Sequence, residues 1–140
     1  MKAFFDTSII VDIDRGNEET VNLMKKLAEE DYPLYISTVS VAEILTGAYR
    51  EDKQKEVRKI LGQFIWMEMD GKVADKTAEI MANLYGKGKP IEFQDVVIAA
   101  SADVIQTDSI VTRNEEHFNY MDLDIDILSP DEVKQEINPQ

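Results

Sequence analysis

Short apolar runs that suit buried strands alternate along the chain with stretches whose apolar residues recur at helical spacing. Ala3-Phe4-Phe5 is the first run and stops at Asp6; Leu34-Tyr35-Ile36-Ser37, opened by Pro33, is the second. Phe64 to Met69 reads as a third strand despite poor alternation, and Ser109 to Thr112 as a fourth. Leu123, Ile125 and Ile127 alternate with Asp122, Asp124 and Asp126, the period of a half-exposed strand. Between these runs the spacing predicts helices over 8–14, with Ile9, Ile10 and Ile13 inward, and over 18–29, with Val21, Met24, Leu27 and Ala28 inward. Two more cover 53–63, around Val57, Ile60 and Leu61, and 72–85. Another carries Val41, Ile44, Leu45 and Ala48 behind a cap at Thr38 or Ser40, which puts Glu43 in its first turn. The stretch 93–104 is apolar on most sides, as a central helix is. Asn114 to Phe118 forms a short helical turn, and Ser129-Pro130-Asp131-Glu132 supplies the cap, proline and capping-box acid of a last helix.

Strands alternating with helices imply an α/β fold built on a mainly parallel sheet covered on both faces. No repeat, low-complexity tract or linker interrupts the pattern, so residues 1–140 are expected to form one domain. In such sheets functional groups collect where strands end and helices begin.

That rule singles out three acids. Asp6 follows the first strand, in Phe4-Phe5-Asp6-Thr7-Ser8; Glu43 lies in Ser40-Val41-Ala42-Glu43-Ile44; Asp95 opens Asp95-Val96-Val97-Ile98-Ala99-Ala100. Each has an ordinary explanation: a helix cap for Asp6, a capping box with Ser40 for Glu43, a favourable helix dipole for Asp95. All three lie among core-type residues, however, and burying even one unpartnered carboxylate costs several kcal/mol. A cluster of them implies a cation. With no cysteine and one histidine in the chain, oxygen atoms must bind it, which favours a hard ion, Mg²⁺ or Mn²⁺.

Composition narrows the alternatives. The apolar fraction of 44% and charged fraction of 31% are those of a globular protein. Absence of cysteine excludes a disulfide framework and a thiol nucleophile, and an acid arrives too early for a secretory signal, so a cytoplasmic location with no membrane contact is expected. A net charge of −13 argues against a broad phosphate-binding surface, although ions in a cleft reverse the field locally.

The segments Phe5-Asp6-Thr7-Ser8, Ser40 to Gly47, Asp95 to Ala100, and Val111-Thr112-Arg113-Asn114 with Phe118 together resemble the PIN domain, and within it the VapC-like ribonuclease toxins of toxin–antitoxin pairs. The resemblance runs from residue 3 to about residue 128. It implies a three-layer α/β/α sandwich and an acidic pocket that binds Mg²⁺ or Mn²⁺, with Asp6, Glu43 and Asp95 as its carboxylate ligands. Many members place a further acid where this chain has Asn114 or His117; Glu115, Glu116 or a neutral Asn114 ligand are the substitutes at hand. It further implies an endoribonuclease acting on RNA, a homodimer, and an antitoxin whose tail blocks the acidic cleft with a basic side chain.

On that reading Asp6 and Asp95 bind the ion, and Glu43 binds it or holds the attacking water. Thr7, Ser8 and Thr112 orient the carboxylates, and Arg113 contacts phosphate. Two rivals remain: a PIN-like module that holds RNA or protein without cutting, and a phosphohydrolase or receiver-like domain. The second needs another acid beside Asp6 and a lysine at a later strand end, and the chain has neither.

Overall fold

The structure, a computed structural model, describes residues 1–138; Pro139 and Gln140, the end of the expected domain, lie outside the described residues. In chain order the elements are β1 (Ala3–Phe5), α1 (Thr7–Asp14), α2 (Glu18–Glu29), β2 (Leu34–Ser37), α3 (Thr38–Arg50), α4 (Gln54–Leu61) and β3 (Ile65–Met67). They continue as α5 (Gly71–Gly86), α6 (Phe93–Val104), β4 (Ser109–Val111), α7 (Glu115–Asn119), β5 (Asp126–Leu128) and α8 (Pro130–Ile137). The strands make one five-stranded sheet in the order β3-β2-β1-β4-β5, with every neighbouring pair parallel.

Alternation along β1 sends Phe5 to one face and Phe4 to the other. Phe5 joins Ile36, Val111 and Leu128 under Ile9 and Ile10 of α1, Leu23 and Leu27 of α2, Val57 and Leu61 of α4 and Val133 of α8. Phe4 joins Ile110 under Val73, Ile80 and Leu84 of α5, the run Val96–Ala100 of α6, and Phe118 of α7. Helices therefore cover both faces, as the alternation of elements implies, and α6 is central as its composition predicts.

β1 is the middle strand, paired through Phe5 with Ile36 of β2 on one side and Val111 of β4 on the other. The chain fills one flank first (β2, β3) and later returns to the opposite flank (β4, β5). The C-terminal end of β1 is thus the point where the winding reverses, which is where open parallel sheets form their crevices.

Three local expectations are corrected. Ser37, not Thr38 or Ser40, caps α3: its extended backbone ends β2 and its Oγ accepts from the Val39 N–H at 3.1 Å. The helix therefore starts earlier, and Glu43 falls in its second turn. β5 pairs only over Asp126–Leu128, because its partner β4 spans just Ser109–Val111 and leaves Leu123 and Ile125 no ladder to join. The buried face of α2 is Thr20, Leu23, Met24 and Leu27, rotated from the expected one by packing against α1 and α8, and Ala28 is exposed.

Candidate active site

Asp6 stands one residue beyond β1, its backbone N–H donating to the Val111 carbonyl at 3.0 Å. By backbone position it caps α1, yet its side chain makes no capping bond. Instead Oδ2 accepts from Ser8 Oγ at 2.8 Å and from Thr112 Oγ1 at 2.7 Å. Both hydroxyls are themselves oriented. Ser8 Oγ accepts from the Arg113 N–H at 3.1 Å, and Thr112 Oγ1 from the Asn114 N–H at 2.9 Å, so each hydroxyl hydrogen is left to point at the carboxylate. The result is an aspartate only 3% exposed with a fixed rotamer. Ser8 and Thr112 occupy the orienting positions expected of them. Thr7 does not: its Oγ1 lies 3.0 Å from Ser40 Oγ and ties α1 to α3.

Asp95 lies in the first turn of α6 with its side chain 14% exposed. His117 Nδ1 lies 2.7 Å from its Oδ2. An ionised carboxylate can only accept, so Nδ1 carries the proton while Asp95 is charged. Burial pushes the Asp95 carboxyl above its ordinary pKa, the neighbouring Asp6 charge pushes it further, and the His117 contact pulls it partly back. Asp6 and Asp95 therefore sense each other across the crevice although they are far apart in sequence.

Glu43 is exposed on α3. Asp6, Glu43 and Asp95 all line one cavity of about 390 Å³, together with Thr7, Ser8, Arg113, Asn114 and His117. Asn114 precedes α7 but makes no capping bond with its side chain. Glu116 does not reach this cavity; it lines an adjacent one of about 480 Å³ beside Glu115 and Asn119. Glu115 neighbours Glu132 of α8, which raises its carboxyl pKa. Of the suggested substitutes for a fourth acid, only Asn114 borders the cavity that holds the three carboxylates.

Two features run against the sequence reading. Arg113, expected to meet phosphate, is engaged elsewhere: Nε donates to Asp12 Oδ2 at 2.7 Å, Nη2 lies 2.7 Å from the same oxygen, and Nη2 donates to Thr20 Oγ1 at 3.2 Å. His117, read as a packed or surface residue, faces Asp95. Its only sequence signal is adjacency to Phe118, whose burial in the core sets the direction of α7. Arg15, Asp12, Glu92 and Gln94 also line the cavity and were not anticipated.

The donor chemistry suits a hard divalent cation, because every carboxylate and amide donor here is oxygen and one or two carboxylates with water and phosphate are the usual environment of Mg²⁺. The mutual repulsion of Asp6 and Asp95 is the kind of strain such an ion relieves. Among the described residues no group of three acidic or histidine side chains is arranged to hold an ion. Asp6 and Asp95, which repel each other, are the two carboxylates whose charge such an ion would offset.

The model of the PIN domain family matches residues 3–123. No curated protein matches the sequence. Among solved structures, the chain is similar to one in VapBC2 from Rickettsia felis bound to a promoter DNA fragment, with TM-score 0.79, 22% identity, and 92% of this chain and 98% of that chain covered. DNA-bound VapBC from Salmonella typhimurium gives TM-score 0.78 and 22% identity over 93% and 98% of the two chains. FitAcB from Neisseria gonorrhoeae gives 0.75 and 27% over 91% and 97%. With sheet order, crevice and family model in agreement, this chain belongs to the PIN domain family.

Proposed function

We propose that the protein is a metal-dependent endoribonuclease, the toxin of a toxin–antitoxin pair. The observation that carries this reading is the buried, doubly hydrogen-bonded Asp6 sharing a cavity with Asp95 and Glu43. Asp6 and Asp95 would hold a Mg²⁺ or Mn²⁺ ion, with Asn114 as a neutral oxygen donor beside them. Such an ion supplies a water of lowered pKa and neutralises phosphate charge. Ser8 and Thr112 keep the Asp6 oxygens aimed into the cavity, so little rearrangement is needed when substrate arrives. His117 does the same for Asp95. Glu43, exposed at the rim, would accept a proton from the attacking water.

The proposal extends to partners. A groove of about 400 Å³ between α1, α3 and α4 shares Thr7, Val11, Arg15 and Glu43 with the acidic cavity. A peptide lying in that groove can direct a basic side chain toward Asp6 and Asp95, and an acidic toxin suits a basic antitoxin segment. A homodimer and a cytoplasmic location are part of the same reading. Among the described residues no helix is long and apolar enough to cross a membrane.

Cleavage of a mixed single-stranded RNA pool by the purified chain tests it. Activity is expected with Mn²⁺ and lost with EDTA. The competing reading, a module that binds without cutting, draws on the absence of a three-ligand cage among the described residues. RNA retained intact on the protein at saturating Mn²⁺ selects that reading.

A further inference from the structure

An RNA strand brings more phosphates than an ion neutralises, and among the described residues two arginines line the cavity, Arg15 and Arg113. Arg113 is spent on Asp12 and Thr20. The remaining acid near the end of α1, Asp14, is paired with Lys53 at 2.7 Å. Every acid close to Arg15 on its own helix is thus matched to another cation. Arg15 itself is exposed and, among the described residues, forms no ion pair. It also borders both the acidic cavity and the neighbouring groove.

We infer that Arg15 is the substrate-positioning cation of this site, binding a backbone phosphate of single-stranded RNA as the strand passes from the groove into the acidic cavity. The inference rests on the nuclease reading for its substrate class, but it concerns binding, not the cleavage step. A guanidinium suits the role because its donors pair with two phosphate oxygens and its charge does not titrate away. In a cavity with this many carboxylates, a phosphodiester arriving without such a contact meets net repulsion from the rim.

The position also has a purely structural explanation, since a cation at the C-terminal end of α1 complements its dipole. The two roles differ in how they respond to salt. A residue that neutralises a phosphate of single-stranded nucleic acid adds about 0.7 to the slope of log K against log salt, whereas a dipole contact within the protein adds nothing.

The experiment measures affinity for a short fluorescein-labelled mixed-sequence RNA by anisotropy, with Ca²⁺ in place of Mn²⁺, across a salt series. The chains compared are wild type, Arg15→Gln, Arg15→Lys and Arg113→Gln, with KM and kcat then read in Mn²⁺. Arg15→Gln is expected to weaken binding about tenfold, to lower the salt slope by about 0.7, and to raise KM more than it lowers kcat. Arg15→Lys should keep the slope. Arg113→Gln should keep the slope and lower the melting temperature. An Arg15→Gln protein with wild-type affinity and slope overturns the inference and leaves the nuclease reading standing if RNA is still cut. A wild type that binds RNA through Arg15 but never cuts it supports the inference and sinks the nuclease reading. A wild type that neither binds nor cuts removes both.

Discussion

Two acid-rich cavities lie at opposite ends of the sheet, and they differ in kind. At the N-terminal ends of β4 and β5, Asp103, Asp108, Asp124 and Asp126 line a cavity of about 540 Å³, larger than the one around Asp6. Those aspartates are mostly exposed; Asp108 accepts from the Lys2 backbone N–H at 2.7 Å, and Asp103 lies 3.7 Å from Lys76. At the C-terminal ends of β1 and β4, Asp6 is buried and locked by two hydroxyls, and Asp95 is pressed by burial and by Asp6. Density of negative charge is therefore a poor guide to function. What distinguishes the second cavity is that two of its carboxylates, Asp6 and Asp95, are desolvated, held by hydrogen bonds and left in each other's field.

The largest effect that can break this contrast comes from removing charge at each end. Asp95→Asn should abolish Mn²⁺-dependent RNA cleavage with circular dichroism unchanged, whereas Asp126→Asn should leave the rate within about twofold, as exposed substitutions do. Equal losses at both ends would mean that the two cavities are not different in kind.

A smaller effect tests immobilisation alone. Thr112→Val removes one hydroxyl from Asp6 without changing any charge. Outer contacts of this sort typically matter about 10- to 100-fold in metal affinity or activity, so Mn²⁺ binding by calorimetry should weaken within that range. Wild-type affinity in Thr112→Val would show that the fixed rotamer of Asp6 is incidental.

The smallest effect is on stability without metal. The pKa of Asp95 is raised in the folded chain above its ordinary value of 3.8, so ionising it costs the folded state. That cost is fully present above the folded pKa and disappears as pH falls below the unfolded value. In EDTA near neutral pH, Asp95→Asn should therefore melt a few degrees higher than wild type. Added Mn²⁺ should raise the wild-type melting temperature and leave the variant's unchanged. Asp126→Asn, exposed in a solvated cavity, should show neither behaviour.

Much of the architecture was legible because it rests on local periodicity. The helices at 18–29 and 93–104 begin and end where their spacing places them, and the capping box of Ser129 and Glu132 forms as written. Boundaries failed where a neighbour decides them. The last strand is short because β4 is short, and α3 starts at Thr38 because Ser37, ending β2, is already oriented to cap it. Within the site, Asp6 and Asp95 stand at element junctions as the sequence places them, whereas Glu43, read as a first-turn acid, lies in the second turn of α3; all three line one cavity. The partners of Arg113 and His117 were not readable, since Asp12 and Asp95 are distant in sequence and meet them only through the fold.

Sequence alone determined the repertoire: helix and strand periods, a parallel sheet, and a polar inventory rich in carboxylates with no cysteine and one histidine. Tertiary structure decided which of those groups meet. Setting β1 between β2 and β4 brings Asp6 under Thr112 and opposite Asp95, and pairing Arg113 with Asp12 leaves Arg15 as the free cation at the rim among the described residues. The reason is physical: periodicity is fixed by the backbone within a few residues, whereas the field at a carboxylate depends on every charge and dipole the fold places within several ångströms of it.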